Sequence, residues 1–234
     1  MTTQPVSLSR DLIAKQVMRA ELGRVDMAVW RSTCGVVSAW ENRCPHRGMR
    51  LSHGFVRGES LACAYHGWHY NCEGACHYIP AHPELEPPKT IRPTVYNVAE
   101  SGGIVWVNAT GTVQPVAFPT TTVAVRSISL QCSVDSAVQS FESNAFLSHL
   151  VTHCTPNLIS QAPKVLAFTP NATVGVTHND ANAISVFIAF QPMGEQAAVA
   201  HVLASDNANV DDCLSLSRWC SQVQQHPFNS AIGH

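Results

Sequence analysis

Apolar and polar residues alternate in short runs through the first hundred positions. Residues 26–31 (DMAVWR) and 36–40 (VVSAW) read as strands, with Thr33-Cys34-Gly35 as a hairpin break between them. Residues 60–64, 90–98 and 103–107 add three more, and Gly and Pro punctuate the intervals. Short strands with frequent turns predict an antiparallel sandwich or small barrel. The pattern then changes. Residues 111–122 (GTVQPVAFPTTT) read as a linker or extended edge. Residues 123–134 alternate as a strand, and Ser136 with Gln139 forms a capping box expected to open a helix to about His153, closed by Thr155-Pro156. Residues 158–169, 172–178, 184–191 and 197–204 read as strands, and a second helix begins near Asp211 (VDDCLSLSRWCSQVQQ). The expected fold class is α+β, with an all-β first domain over residues 1–111 and a small antiparallel sheet with two helices over residues 112–234.

Composition narrows the function. The chain has 234 residues, 45% hydrophobic and 13% charged, with a formal net charge of −2. Disordered chains carry more charge and fewer aliphatic residues. Nucleic-acid binders usually carry a basic excess, which is missing here. No stretch approaches the ~18 consecutive apolar residues of a membrane span. The first twenty residues lack the apolar core and cleavage site of a secretory signal, so a cytoplasmic protein is expected. Residues 1–110 carry eleven Lys/Arg against nine Asp/Glu, and residues 111–234 carry three against seven. Nine cysteines, and twelve histidines against three lysines, lean towards metal. In a reducing cytosol such cysteines bind metal, do redox chemistry or are simply buried.

The chemistry gathers in two loops: Cys44-Pro45-His46-Arg47-Gly48 and Cys63-Ala64-Tyr65-His66-Gly67-Trp68. Each offers one thiolate and one imidazole. Brought together they make a two-sulfur, two-nitrogen set, which suits a tetrahedral zinc or a [2Fe–2S] cluster with Cys on one iron and His on the other. Zinc sites usually pair like residues, whereas each loop here mixes one Cys with one His. Glycines after both histidines fit backbone that wraps closely round a bound group.

C-P-H-R-G followed by C-x-Y-H-G-W resembles the Rieske iron–sulfur signature in the form used by Rieske non-haem iron oxygenases and their ferredoxins. Residues 73–76 (EGAC), 79–81 (IPA) and 100–107 (ESGGIVWV) are similar to segments that follow the cluster loops in that family. The resemblance covers roughly residues 10–110. It implies that Cys44 and Cys63 hold the inner iron of a [2Fe–2S] cluster, and His46 and His66 the outer iron that takes up the electron. Respiratory Rieske proteins join the two loops by a disulfide. Met49 and Tyr65 stand at the matching positions here, which puts the chain with the oxygenase and ferredoxin branch. Cys72 and Cys76 read as spare thiols. Arg43, Arg47, Arg50 and Arg57, beside Glu41 and Glu59, form either an ordinary solvated face or a positive rim that steers an acidic ferredoxin or reductase.

On the expected helix Glu142, His149 and His153 share one face, as the 2-His-1-carboxylate site of ferrous oxygenases requires. The family's helix carries Asp, two residues, His, four residues and His. Here Phe146 stands where the family has that Asp, and His153 comes one residue early. The resemblance implies a mononuclear Fe(II) held by His149, His153 and Asp212, the last at the start of the C-terminal helix. Two functions compete. One is the terminal component of a Rieske oxygenase, using electrons from a reductase or ferredoxin to hydroxylate or demethylate a small organic substrate with O₂. The other is a Rieske electron carrier or non-catalytic partner subunit. A zinc-stabilised binding module is a third. The family implies a homo-oligomer, a trimer, or pairing with another oxygenase subunit.

Overall fold

The strands of the first half alternate so tightly that both faces of one sheet are buried. The computed structural model describes residues 3–118, 120–142, 164–169, 173–177 and 184–225. The chain divides into two units, Met1–Glu100 with Val105–Pro115 and Ser101–Ile104 with Val116–His234. Strands β1 (Gln4–Leu8), β2 (Val17–Leu22), β3 (Val25–Arg31), β4 (Val37–Glu41), β9 (Val95–Ser101) and β10 (Ile104–Asn108) form one sheet in the order β1-β10-β9-β4-β3-β2. Strands β5 (Phe55–Arg57), β6 (Ser60–Ala62), β7 (His69–Asn71) and β8 (Cys76–Tyr78) form a second, consecutive antiparallel sheet. The expected strand at residues 90–98 begins only at Val95. Pro93 lacks an N–H for the ladder.

Period-two alternation on β3 and β4 divides the core. Met27, Val29 and Ala39 pack on one side with Val6, Leu22 and Val105. Ala28, Trp30 and Trp40 pack on the other with Leu61, Tyr70, Cys44 and Cys63. Trp40 sits edge-on between Trp30 and Tyr70, with centroids 5.1 Å and 6.4 Å away. The two cysteines thus lie at the end of an aromatic core.

Two turns leave that core, one between β4 and β5, one between β6 and β7, and they are built alike. In the first, the Cys44 N–H donates to the Met49 carbonyl at 2.8 Å, and the Gly48 N–H to the Cys44 carbonyl at 2.8 Å. In the second, the Cys63 N–H donates to Trp68 at 2.9 Å and the Gly67 N–H to Cys63 at 3.0 Å. Each closure needs a left-handed residue four places after the cysteine, and Gly48 (φ 73°) and Gly67 (φ 68°) supply it.

In the second unit β11 (Thr122–Leu130), β12 (Lys164–Thr169), β13 (Thr173–Thr177), β14 (Val186–Pro192) and β15 (Ala198–Ser205) form an antiparallel sheet ordered β11-β15-β14-β13-β12. Helices α1 (Val134–Glu142) and α2 (Val210–Gln225) complete the described residues. Ile188, Phe190, Ala200 and Val202 pack against Ala137 of α1 and the stripe Leu216, Trp219, Cys220 and Val223 of α2. The cap of α1 differs from the expected Ser136/Gln139 pair. Ser133 Oγ accepts the Ser136 N–H at 3.2 Å, so the helix starts at Val134. Antiparallel sheets with two helices bear out the α+β expectation. Among the described residues, no helix is long and apolar enough to cross a membrane.

His201 on β15 is 2% exposed, with Nδ1 2.9 Å from Ser127 Oγ of β11 and no partner for Nε2 among the described residues. Burial lowers its pKa from the ordinary 6.5 to about 4. Between those values the unfolded chain takes up a proton that the folded chain refuses. Stability should therefore fall as pH drops from 6.5 towards 4, by about 3 kcal/mol in all. Denaturant titrations across that window should show a flatter profile for His201→Gln; parallel profiles would contradict the burial account.

The two turns make a second expectation. Alanine at either glycine forces a side chain into left-handed backbone, costing about 1–2 kcal/mol. A Cβ on Gly67 would also lie 3.0 Å from the Pro80 ring, whereas on Gly48 its nearest neighbour is the flexible Arg43 side chain at 3.4 Å. Gly67→Ala should lower the unfolding midpoint more than Gly48→Ala; the reverse order in thermal melts would refute this.

Candidate metal centre

The two turns present four donors sorted by type. Cys44 and Cys63 are 2% and 3% exposed, inside the aromatic core. His46 is half-buried and His66 exposed, their rings 4.6 Å apart at an edge-on angle of 61°. Trp68 stacks flat on His46 at 4.1 Å, and Tyr65 lies 3.9 Å from His66. Each imidazole is thereby held at the outer edge by an aromatic neighbour. Sulfur faces inward and nitrogen outward.

Electrostatics at the sulfurs follow from the same turns. The Cys63 thiol hydrogen-bonds to Cys44 and holds it as a thiolate, lowering its pKa to about 5 against the cost of burial. The Tyr70 hydroxyl, 3.1 Å from Cys44 Sγ, and the backbone N–H groups of His46 and Arg47 add to this. Cys63 is pushed up by sharing that proton with Cys44 and by burial, while the N–H groups of Tyr65 and His66 pull the other way. The pair shares one proton between two sulfurs. Burial, with the Cys44 contact, raises Tyr70 above the ordinary phenol range, so it stays a donor.

The chemistry of this donor set suits a [2Fe–2S] group. Two buried sulfurs, each receiving a pair of backbone N–H groups, suit anionic thiolates on one iron. Two imidazoles at the rim suit a second iron with neutral ligands. The residues fit. The structure adds Tyr70 beside Cys44, a residue whose only signal in the sequence is its inward place in the alternation of β7, between His69 and Asn71.

The other expected ligands are placed differently. Phe146, His149 and His153 lie outside the described residues, and Glu142 is the last residue of α1. Asp212 is described, and its carboxylate is occupied. Its Oδ2 accepts the Asn209 N–H at 3.0 Å while Asn209 Oδ1 accepts the Asp212 N–H at 3.0 Å. That reciprocal box caps α2.

A family model described as Rieske [2Fe-2S] domain matches residues 2–92. Oxidoreductase NdmD of Pseudomonas putida is 44% identical over 103 residues, 44% of this chain and 18% of that protein. The 4beta-methylsterol monooxygenase of Methylococcus capsulatus is 39% identical over 106 residues, again 44% of this chain and 28% of that one. The matched segment thus spans less than a third of either relative. The solved structure of Pseudomonas putida NdmA is similar with a TM-score of 0.74 at 18% identity, covering 100% of this chain and 84% of that one. Dicamba monooxygenase bound to dicamba gives 0.72 at 18%, covering 94% and 82%. At such identity the structures speak for the fold alone. Residues 2–92 thus match the Rieske [2Fe–2S] domain family, and the fold of the chain is similar to those of NdmA and dicamba monooxygenase.

Proposed function

We propose that this chain is a Rieske oxidoreductase that receives electrons one at a time from a reductase or ferredoxin, as the terminal component of an oxygenase. The observation that carries the first half is the sorting of donors: buried Cys44 and Cys63 on one side, half-buried His46 and exposed His66 on the other. Cys44 and Cys63 would hold one iron, His46 and His66 the other. Such a cluster stores and releases a single electron. The protein's own part is to keep the sulfurs charged through N–H and hydroxyl donors, and to leave the imidazole edge open to a partner.

The oxygenase half draws on the names of the relatives, a sterol monooxygenase and a methylxanthine N1-demethylase, and on a fold likeness that runs the length of the chain. His149, His153 and Asp212 would hold a mononuclear Fe(II), which supplies O₂ activation for hydroxylation or demethylation of a small organic substrate. The second reading, an electron carrier or partner subunit, is favoured by one observation. Asp212 already caps α2, and its neighbours Asp211 and Val210 are exposed, Val210 by 75%. A cytoplasmic setting and a trimer remain part of the proposal.

Protein purified anaerobically should be red-brown and contain about two irons per chain as a carrier, or about three as an oxygenase. His149→Ala should remove the third iron and leave the cluster spectrum intact. Unchanged iron content would eliminate the oxygenase reading, and a colourless, zinc-containing product would eliminate both.

Tyr70→Phe removes a hydroxyl donor from a cluster sulfur without altering the packing on Trp40. Hydrogen bonds to sulfur favour the reduced, more negative cluster. The midpoint potential should therefore drop by several tens of millivolts in a redox titration followed by electron paramagnetic resonance. A potential equal to wild type would show that Tyr70 does not address the cluster.

A further inference from the structure

A groove of about 450 Å³ lies against the first ligand turn, lined by Arg24, Arg43 and Arg50 together with Asp26 and Glu41. We propose that it is the docking site for an acidic one-electron carrier protein; this rests on reading Cys44, His46, Cys63 and His66 as the cluster ligands. Three guanidinium groups against two carboxylates leave the groove positive, and the carboxylates are engaged. Asp26 accepts from Arg19 Nε at 2.7 Å and Asn42 Nδ2 at 3.1 Å, and pairs with Arg50 Nε at 3.7 Å. Glu41 accepts from the Thr94 hydroxyl at 3.0 Å. Arg24 and Arg43 are exposed, and neither has an ion-pair partner among the described residues. Two open guanidinium groups in a shallow cleft match carboxylate side chains on a protein surface, each able to accept a forked pair of hydrogen bonds.

The groove is part of the redox turn itself. Arg43 precedes Cys44, and its guanidinium lies against Gly48, with Nε 3.4 Å from where a Cβ would stand. Gly48 donates to the Cys44 carbonyl at 2.8 Å. A carrier seated on these arginines therefore touches the turn that bears Cys44 and His46. The floor is already ordered. Asn42 is 3% exposed, donates its backbone N–H to the Asp26 carbonyl at 2.9 Å, and accepts the Ser52 N–H at 2.7 Å. Little ordering remains for association to supply, so charge complementarity would act chiefly on the rate of encounter. In the transfer the carrier is oxidised by one electron and the cluster reduced by one, with no bond or proton exchanged.

The test uses a reduced acidic plant-type [2Fe–2S] ferredoxin as probe, with reduced methyl viologen, a small cation, as control reductant. The double variant Arg24→Glu/Arg43→Glu is compared with wild type and with Lys89→Glu/Arg218→Glu, which makes the same change in net charge elsewhere. At low ionic strength the second-order rate of reduction by ferredoxin should fall about tenfold or more in the groove variant, and its salt dependence should flatten. Reduction by methyl viologen should be no slower than wild type, and the visible spectrum should match it. The Lys89/Arg218 variant should stay close to wild type with ferredoxin. A wild-type rate insensitive to salt, or a groove variant no slower than the Lys89/Arg218 variant, overturns the proposal and leaves the cluster reading intact. A wild-type preparation with no cluster spectrum overturns the cluster reading, and the docking proposal with it.

Discussion

Burying a charged sulfur is costly, because a low-dielectric core withdraws the water that would solvate it. Two cysteines at the end of a core made of Trp30, Trp40 and Tyr70 meet that cost together. Much of the first unit can be understood as its remedy. Each turn folds back so that the N–H groups two and three residues after the cysteine point at the sulfur. That curvature requires a residue with positive φ at the fourth position, which is why Gly48 and Gly67 occur where they do. The tyrosine hydroxyl, on a fully buried ring, adds a neutral donor to Cys44 from within the core.

The same geometry explains why the imidazoles end up outside. A turn with its cysteine directed inward and its chain reversed within four residues places the intervening histidine on the opposite side. Aromatic neighbours then hold the rings: Trp68 lies parallel to His46 within 8°. A thiolate pair in the core and an imidazole pair at the rim form a polarised site, shielded at the anionic end and accessible at the neutral end. Such a layout favours electron exchange with something outside the unit and protects the sulfurs from solvent.

The candidate donors are more legible in the sequence than the architecture around them. Cys44, His46, Cys63 and His66 were readable because each pair falls within four consecutive residues, so spacing alone carries the information. Strands β5, β7 and β8 are three residues long, too short for a period of two to register. Tyr70 was missed for that reason. The start of α1 was misplaced because Ser133 and Ser136 are both plausible caps, and only the bond from the Ser136 N–H to Ser133 Oγ decides between them. Asp212 is the reverse case. Asn209 followed three residues later by Asp212 is itself a capping pattern, readable in the sequence, and the attraction of an iron ligand at a helix start obscured it. For His149 and His153 the sequence remains the only source, since they lie outside the described residues.

Electron acceptance and oxygen chemistry make unequal demands on this chain. All four sulfur and nitrogen donors, both glycine turns, Tyr70 and the arginine groove lie between Arg24 and Tyr96, within the first unit. Nothing in that set depends on a residue of the second unit. An iron held by His149, His153 and Asp212 would draw on the start of α2, where the Asp212 carboxylate is turned back on its own backbone. For Asp212 to bind iron, the Asn209 N–H would have to give up its partner or share the second oxygen, weakening a cap commonly worth about 1 kcal/mol. That is a modest barrier compared with a metal–carboxylate bond, so the cap does not forbid the site. It does give the Asp212 carboxylate a structural role, capping α2, that needs no iron.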